Sequence, residues 1–298
     1  MSSLPRTFSL ALAFAAAALT APGAASAQEL PPGPNFTIQS TFDGQAVPGA
    51  YELVQIVLDF PPGAWTPSHT HGGQVFVTVL SGTMTVRDDV GERLYRAGDT
   101  WREMPGDHHV AGNATGETAR VLGAFLLPQG ASLTTVADAG ATDDLPPGPV
   151  AVYQTRTPGP AISGALDVVQ LQADFAPGAW TPQHEHGGRG VVTVTEGSMR
   201  VKDANGERSY GTGESWVEGE GEVAAVGNAG DQSARLVGTF VLPKGATLTT
   251  LREPASATPA TLPTTGGSEG FLYSVLLAGA ALLGMGGLLR RRTSATPS

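Results

Sequence analysis

Short apolar runs alternate with glycine, proline and aspartate along the middle of the chain. Gln74–Leu80, Thr83–Arg87, Glu92–Arg96 and Arg120–Leu127 are each rich in β-branched or apolar residues and bounded by Gly, Pro, Asp or Asn. That is the pattern of strands separated by turns. Asp203-Ala204-Asn205-Gly206 closes on Asn-Gly, a strong signal for a two-residue hairpin loop. Asp88-Asp89-Val90-Gly91 holds the equivalent place earlier in the chain. Away from the two ends no stretch sustains a helical period. The pattern predicts an all-β fold of barrels or sandwiches.

The pattern also repeats. Leu30-Pro31-Pro32-Gly33-Pro34 recurs as Leu145-Pro146-Pro147-Gly148-Pro149, and Pro62-Gly63-Ala64-Trp65-Thr66-Pro67 as Pro177-Gly178-Ala179-Trp180-Thr181-Pro182, both displaced by 115 positions. From Asp59 to Thr135, 41 of 77 residues are identical to those 115 positions later, without a gap. So long a period means two whole domains rather than a solenoid of short units. The repeats are placed at 30–144 and 145–253.

The ends read as addresses. Residues 1–27 combine Arg6, an apolar run from Phe8 to Leu19 and the small-residue site Ala25-Ser26-Ala27, which reads as a secretory signal peptide. Residues 254–270 form a Pro/Thr/Gly-rich stalk containing Leu262-Pro263-Thr264-Thr265-Gly266. Residues 271–289 are uncharged, long enough at about 1.5 Å per residue to cross a bilayer as one transmembrane helix. A basic tail (290–298) opens with Arg290, Arg291 and Arg292, which places it in the cytoplasm. The order Leu-Pro-x-Thr-Gly, apolar span, basic tail resembles the sortase sorting signal of bacterial cell-wall proteins. That resemblance implies that Leu262, Pro263, Thr265 and Gly266 are read by a sortase-type transpeptidase. The alternative is a plain membrane anchor through the C-terminal helix. Either way the domains are expected to be exported and held at the cell surface.

Composition narrows the chemistry. The chain's 40 Gly and 23 Pro make up about a fifth of it and speak against a helix bundle. A formal charge of −10, with 17 basic residues, excludes an extended phosphate-binding face and hence a nucleic-acid role. With no Cys there are no disulfides, thiolate metal sites or thiol nucleophiles. The six His fall in three clusters: His69 and His71, His108 and His109, and His184 and His186. In His69-Thr70-His71 the spacing puts both imidazoles on one face of a strand, and neutral imidazole is a common ligand of divalent metals.

The surrounding spacing is more specific. Gly63 is followed after five residues by His69 and His71, and then by Gly82; Gly98 is followed by Gly106, His109 and Asn113. These two stretches resemble the two motifs of the cupin superfamily, and the duplication makes the chain resemble a bicupin. The resemblance implies two tandem jelly-roll barrels. It also implies that His69, His71 and His109 hold a divalent transition metal (Fe, Mn, Ni, Cu or Zn) in the first. The family's Glu ligand would fall at Val75 and its Pro at Met104, two departures. Gln74 is a weaker candidate, because strand alternation turns it away, and His108 is expected on the rim. In the second repeat His184 and His186 remain, but Ala224 stands for His109 and Gly190 for the Glu, so this is expected to be a degenerate site. Three functions are open: a quercetinase-like cupin dioxygenase acting on a small molecule, a non-catalytic module binding a small ligand or metal, and a structural wall protein with relic histidines.

Overall fold

The computed structural model describes residues 31–137 and 146–252, and every element in them is a strand or a turn. The first repeat supplies β1 (Asn35–Gly44), β2 (Tyr51–Phe60), β3 (His69–Thr70), β4 (Gln74–Ser81) and β5 (Thr83–Asp88). It continues with β6 (Gly91–Arg96), β7 (Thr100–Glu103), β8 (His109–Gly112), β9 (Ala119–Pro128) and β10 (Thr135–Val136). The second supplies β11 (Val150–Gly159), β12 (Leu166–Phe175), β13 (His184–His186), β14 (Arg189–Glu196) and β15 (Ser198–Asp203). It ends with β16 (Gly206–Gly211), β17 (Ser215–Glu218), β18 (Ala225–Gly227), β19 (Ala234–Pro243) and β20 (Thr249–Leu251). The chain is all-β over these residues, in keeping with a pair of jelly-roll barrels. Among them no helix is long and apolar enough to cross a membrane. The expected signal peptide, stalk, sorting motif, transmembrane helix and tail lie outside the described residues.

Each repeat lends its first strand to the other. β11 pairs antiparallel with β2 and completes the sheet β11-β2-β9-β4-β7, while β1 pairs with β12 and completes β1-β12-β19-β14-β17. The second sheet of the first barrel runs β10-β3-β8-β5-β6. Its counterpart in the second barrel is divided into β16-β15-β18 and β13-β20. The proline-rich motif that opens each repeat takes part in the exchange. The Trp65 amide donates to the carbonyl of Pro147, and the Trp180 amide to that of Pro32, at 2.8 and 2.9 Å.

The exchanged sheets lie back to back, so their strands are buried on both faces. On β4, Val75, Val77 and Val79 face the first barrel's interior, while Phe76 packs with Tyr51, Leu53, Leu166, Val168 and Val191 between the barrels. The interface is also tied by buried polar pairs, Gln55 Nε2 to Thr193 Oγ1 at 2.8 Å and Thr78 Oγ1 to Gln170 Oε1 at 2.6 Å. Burial on both faces explains why these strands read as continuous apolar runs rather than as alternation. Asn113 and Asn228 lock matching corners. Each donates its side-chain amide to two backbone carbonyls, Asn113 to Phe60 and Glu117 and Asn228 to Phe175 and Gln232. Gly112 is required beside Trp65, since a Cβ there would meet the indole at 2.0 Å, and Gly227 stands against Trp180 in the same way.

Candidate metal centre

His69 and His71 enter the first barrel from β3 and the turn after it, and His109 from the start of β8, where it is the cross-strand partner of His69. All three are buried, and they bring one ring nitrogen each within 4.8 Å of one another. The other nitrogen of each ring is tied down. Nδ1 of His69 donates to the Pro67 carbonyl at 2.9 Å, that of His71 to Leu133 at 2.6 Å, and that of His109 to Asp107 at 3.2 Å. A carbonyl only accepts, so Nδ1 carries the hydrogen in each ring and Nε2 is the nitrogen turned inward, free to present its lone pair in His69 and facing Glu103 in His71 and His109. This is the outer support by which metal-binding histidines are oriented.

A fourth buried group joins them. Glu103, from the end of β7, places its carboxylate 3.2 Å from His71 Nε2 and 3.1 Å from His109 Nε2. Trp101 Nε1 donates to Glu103 Oε1 at 2.7 Å and fixes its orientation. Burial pushes this carboxyl up, but hydrogen bonds and charge from His109 and His71 outweigh that and hold it well below the usual carboxylate range. For His109 burial lowers the pKa, but the bond to Glu103 and its charge prevail and raise it. His69 has no such partner. Its burial, reinforced by the charge of His109, lowers its pKa to about 4.

The weaker candidates lie elsewhere. Gln74 turns to the outer face of β4, where Nε2 donates to the Gln45 carbonyl and Oε1 accepts from the Gln45 amide, both at 2.8 Å. Val75 takes the interior face. His108 is exposed beside Asp107 on the barrel's rim. Glu103 was missed because the family motif directs attention to Val75. The signal was present in the repeat, where Trp101-Arg102-Glu103 recurs as Trp216-Val217-Glu218.

In the second barrel His184 and His186 project from β13, with Nδ1 donating to the carbonyls of Pro182 and Leu248 at 2.9 and 2.7 Å. Ala224 faces His184 where His109 faces His69. Glu218 lies 2.8 Å from His186 Nε2 and accepts from Trp216 Nε1 at 2.8 Å. Burial raises its pKa, but the contact with His186 dominates and lowers it. Two imidazoles and a carboxylate therefore converge here, rather than the two imidazoles expected from the sequence. Glu185 instead pairs outward with Arg252, and Glu222 accepts from the Gly219 amide.

Each cluster opens into a cavity, about 330 Å³ in the first barrel and about 290 Å³ in the second. The first is walled by Ile56, Val77, Val121 and Phe125, and the second by Leu171, Val192, Leu236 and Phe240; among the described residues no Lys or Arg lines either. Each mouth is finished by the exchanged segment, with Pro149, Ala151 and Gln154 at the first and Pro34, Phe36 and Gln39 at the second.

Residues 56–125, which carry His69, His71, Glu103 and His109, match the Cupin domain family. The match supports the cupin superfamily for this chain. No curated protein sequence matches it. Among solved structures, it is similar to the oxalate decarboxylase–formate complex of Lactobacillus farciminis, at 14% identity and a TM-score of 0.48 over 74% of this chain and 91% of that one. It is also similar to the Bacillus subtilis oxalate decarboxylase, for which Mn(II) centres are described, at 15% identity and a TM-score of 0.43 over 67% and 74%. A third similar structure is AerE of Microcystis aeruginosa, at 17% identity and a TM-score of 0.43 over 72% and 99%.

Proposed function

We propose that the first barrel is a metal-dependent cupin site. His69, His71 and His109 would hold one divalent transition metal, and the cavity above would take a small, mainly apolar molecule. The observation that carries this reading is the convergence of three buried imidazoles whose Nδ1 atoms are all committed to carbonyls. A metal bound there would supply Lewis-acid or redox chemistry. Glu103 places a negative charge beside the imidazoles that offsets a bound cation, and Trp101 holds that carboxylate in place. Val121, Phe125 and Ile56 keep bulk water from the site and shape the ligand's contact surface. The cavity's lack of Lys or Arg favours an uncharged ring or enol over a small dianion. Of the enzyme classes, that supports a quercetinase-like dioxygenase acting on a flavonol or diketone.

A second reading, capture of a small ligand without turnover, is favoured by the same lining, which among the described residues offers no ionisable group apart from the three histidines and Glu103. Metal analysis and oxygen uptake on the purified full chain separate the two. Metal lost on His71→Ala, together with metal-dependent oxygen uptake on a flavonol or diketone panel, supports the enzyme. A fully loaded protein that consumes no oxygen supports the binding module. A chain that retains no metal after growth in supplemented medium sinks the enzyme, and one that also binds no flavonol or diketone leaves a structural wall protein. In the same reading the barrels are exported and surface-anchored through the sorting motif. If Thr265→Ala fails to move the protein from the wall to the membrane fraction, anchoring is by the C-terminal helix alone.

A further inference from the structure

The second barrel keeps a carboxylate buried in a mainly apolar cavity. Glu218 is 7% exposed among Leu171, Val192, Leu236 and Phe240; His186 Nε2 at 2.8 Å is its one potentially cationic partner among the described residues, and no described Lys or Arg reaches it. Burying a carboxylate is costly unless it is paired or coordinates a cation. One ligand atom from each of His184, His186 and Glu218 lies within 4.8 Å of the others. The imidazoles are held by the same kind of carbonyl tethers as in the first barrel, at nearly the same lengths. Trp216 orients the carboxylate as Trp101 orients Glu103. Ala224 removes the third imidazole but leaves the remaining donors in place.

We propose that this barrel is a second metal centre with its own ligand set, the Nε2 atoms of His184 and His186 and the carboxylate of Glu218. Two histidines and one carboxylate around open positions suit non-haem ferrous iron. The second centre would thus differ in donor type from the three-histidine set of the first, and it does not depend on that reading.

The test is metal retention by the purified full chain, loaded anaerobically with ferrous iron, desalted and assayed for iron per chain. The wild type should retain close to two equivalents, His71→Ala close to one, and His71→Ala combined with Glu218→Gln close to none. Ala224→His, placed on His71→Ala, should slow iron release by about tenfold or more, because it supplies the missing third imidazole. This gain guards against a Glu218→Gln chain that merely misfolds. One equivalent in the wild type, lost on His71→Ala and unmoved by Glu218→Gln, would overturn the second centre while leaving the first intact. An unchanged release rate in Ala224→His would also overturn it. One equivalent kept by His71→Ala but lost on Glu218→Gln would support the second centre even if the first held nothing.

Discussion

The two barrels share their glycine, tryptophan and asparagine framework, yet differ in what surrounds the histidines. In the first, His109 closes on His69 with ring centroids 4.2 Å apart. In the second, Ala224 takes that place, and on the opposite side Phe240 tilts to within 4.3 Å of His186, against 5.0 Å for the equivalent Phe125 and His71. Gly190 permits that tilt, because a Cβ there would meet the Phe240 ring at 2.3 Å. The first barrel has Val75 at this position and keeps its phenyl ring further off. Framework and donor set therefore vary independently. The turns, corners and buried Trp–Glu pair are common to both, while the third donor and the aromatic wall are chosen separately in each.

The strongest way to probe this comparison lies between the barrels, where the 115-residue displacement makes Val191 the counterpart of Phe76 in the same apolar cluster. Phe76→Ala should cost about 3–5 kcal/mol and Val191→Ala about 2 kcal/mol, measured by urea unfolding. Equal costs would show that the interface is shared evenly after all. The next effect concerns acid and belongs to the first barrel. His69 is lowered to about 4 when folded and sits near 6.5 when unfolded, so between these values the unfolded chain binds a proton that the folded chain refuses. Chelator-treated protein should accordingly lose about 3 kcal/mol as pH falls from 6.5 to 4. Above pH 6.5 the raised pKa of His109 acts in the opposite sense, its contribution fading as pH rises through its folded value. His109→Ala makes the first barrel resemble the second and should shrink the acid loss; an unchanged loss would show that burial alone sets it. The smallest effect tests what is common. Trp101→Phe and Trp216→Phe each remove the indole donor from a buried carboxylate and should each cost about 1–3 kcal/mol. A clear difference between them would mean that the two carboxylates are held differently.

Much of the skeleton was legible in the sequence. The strands expected at Gln74–Leu80 and Arg120–Leu127 extend to Gln74–Ser81 and Ala119–Pro128, since turn residues mark their ends. The convergence of His69, His71 and His109 was visible because the two-residue step and the glycine spacing survive. Glu103 and Glu218 escaped notice because three strands separate them from His71 and His186, and only cross-strand pairing brings them together. The reciprocal exchange was also hidden. Nothing local in Asn35–Gly44 says which sheet it joins, because the same edge-strand pattern opens both repeats.

That exchange has a consequence for what counts as a unit. A single repeat standing alone would have a bare β2 or β12 edge and a cavity mouth missing one wall. Trading strands with another copy of itself would satisfy both. The chain thus has the topology of a strand-swapped dimer whose subunits have been joined end to end and then allowed to diverge. Such a fusion makes each half part of the other's walls while leaving their interiors free to specialise.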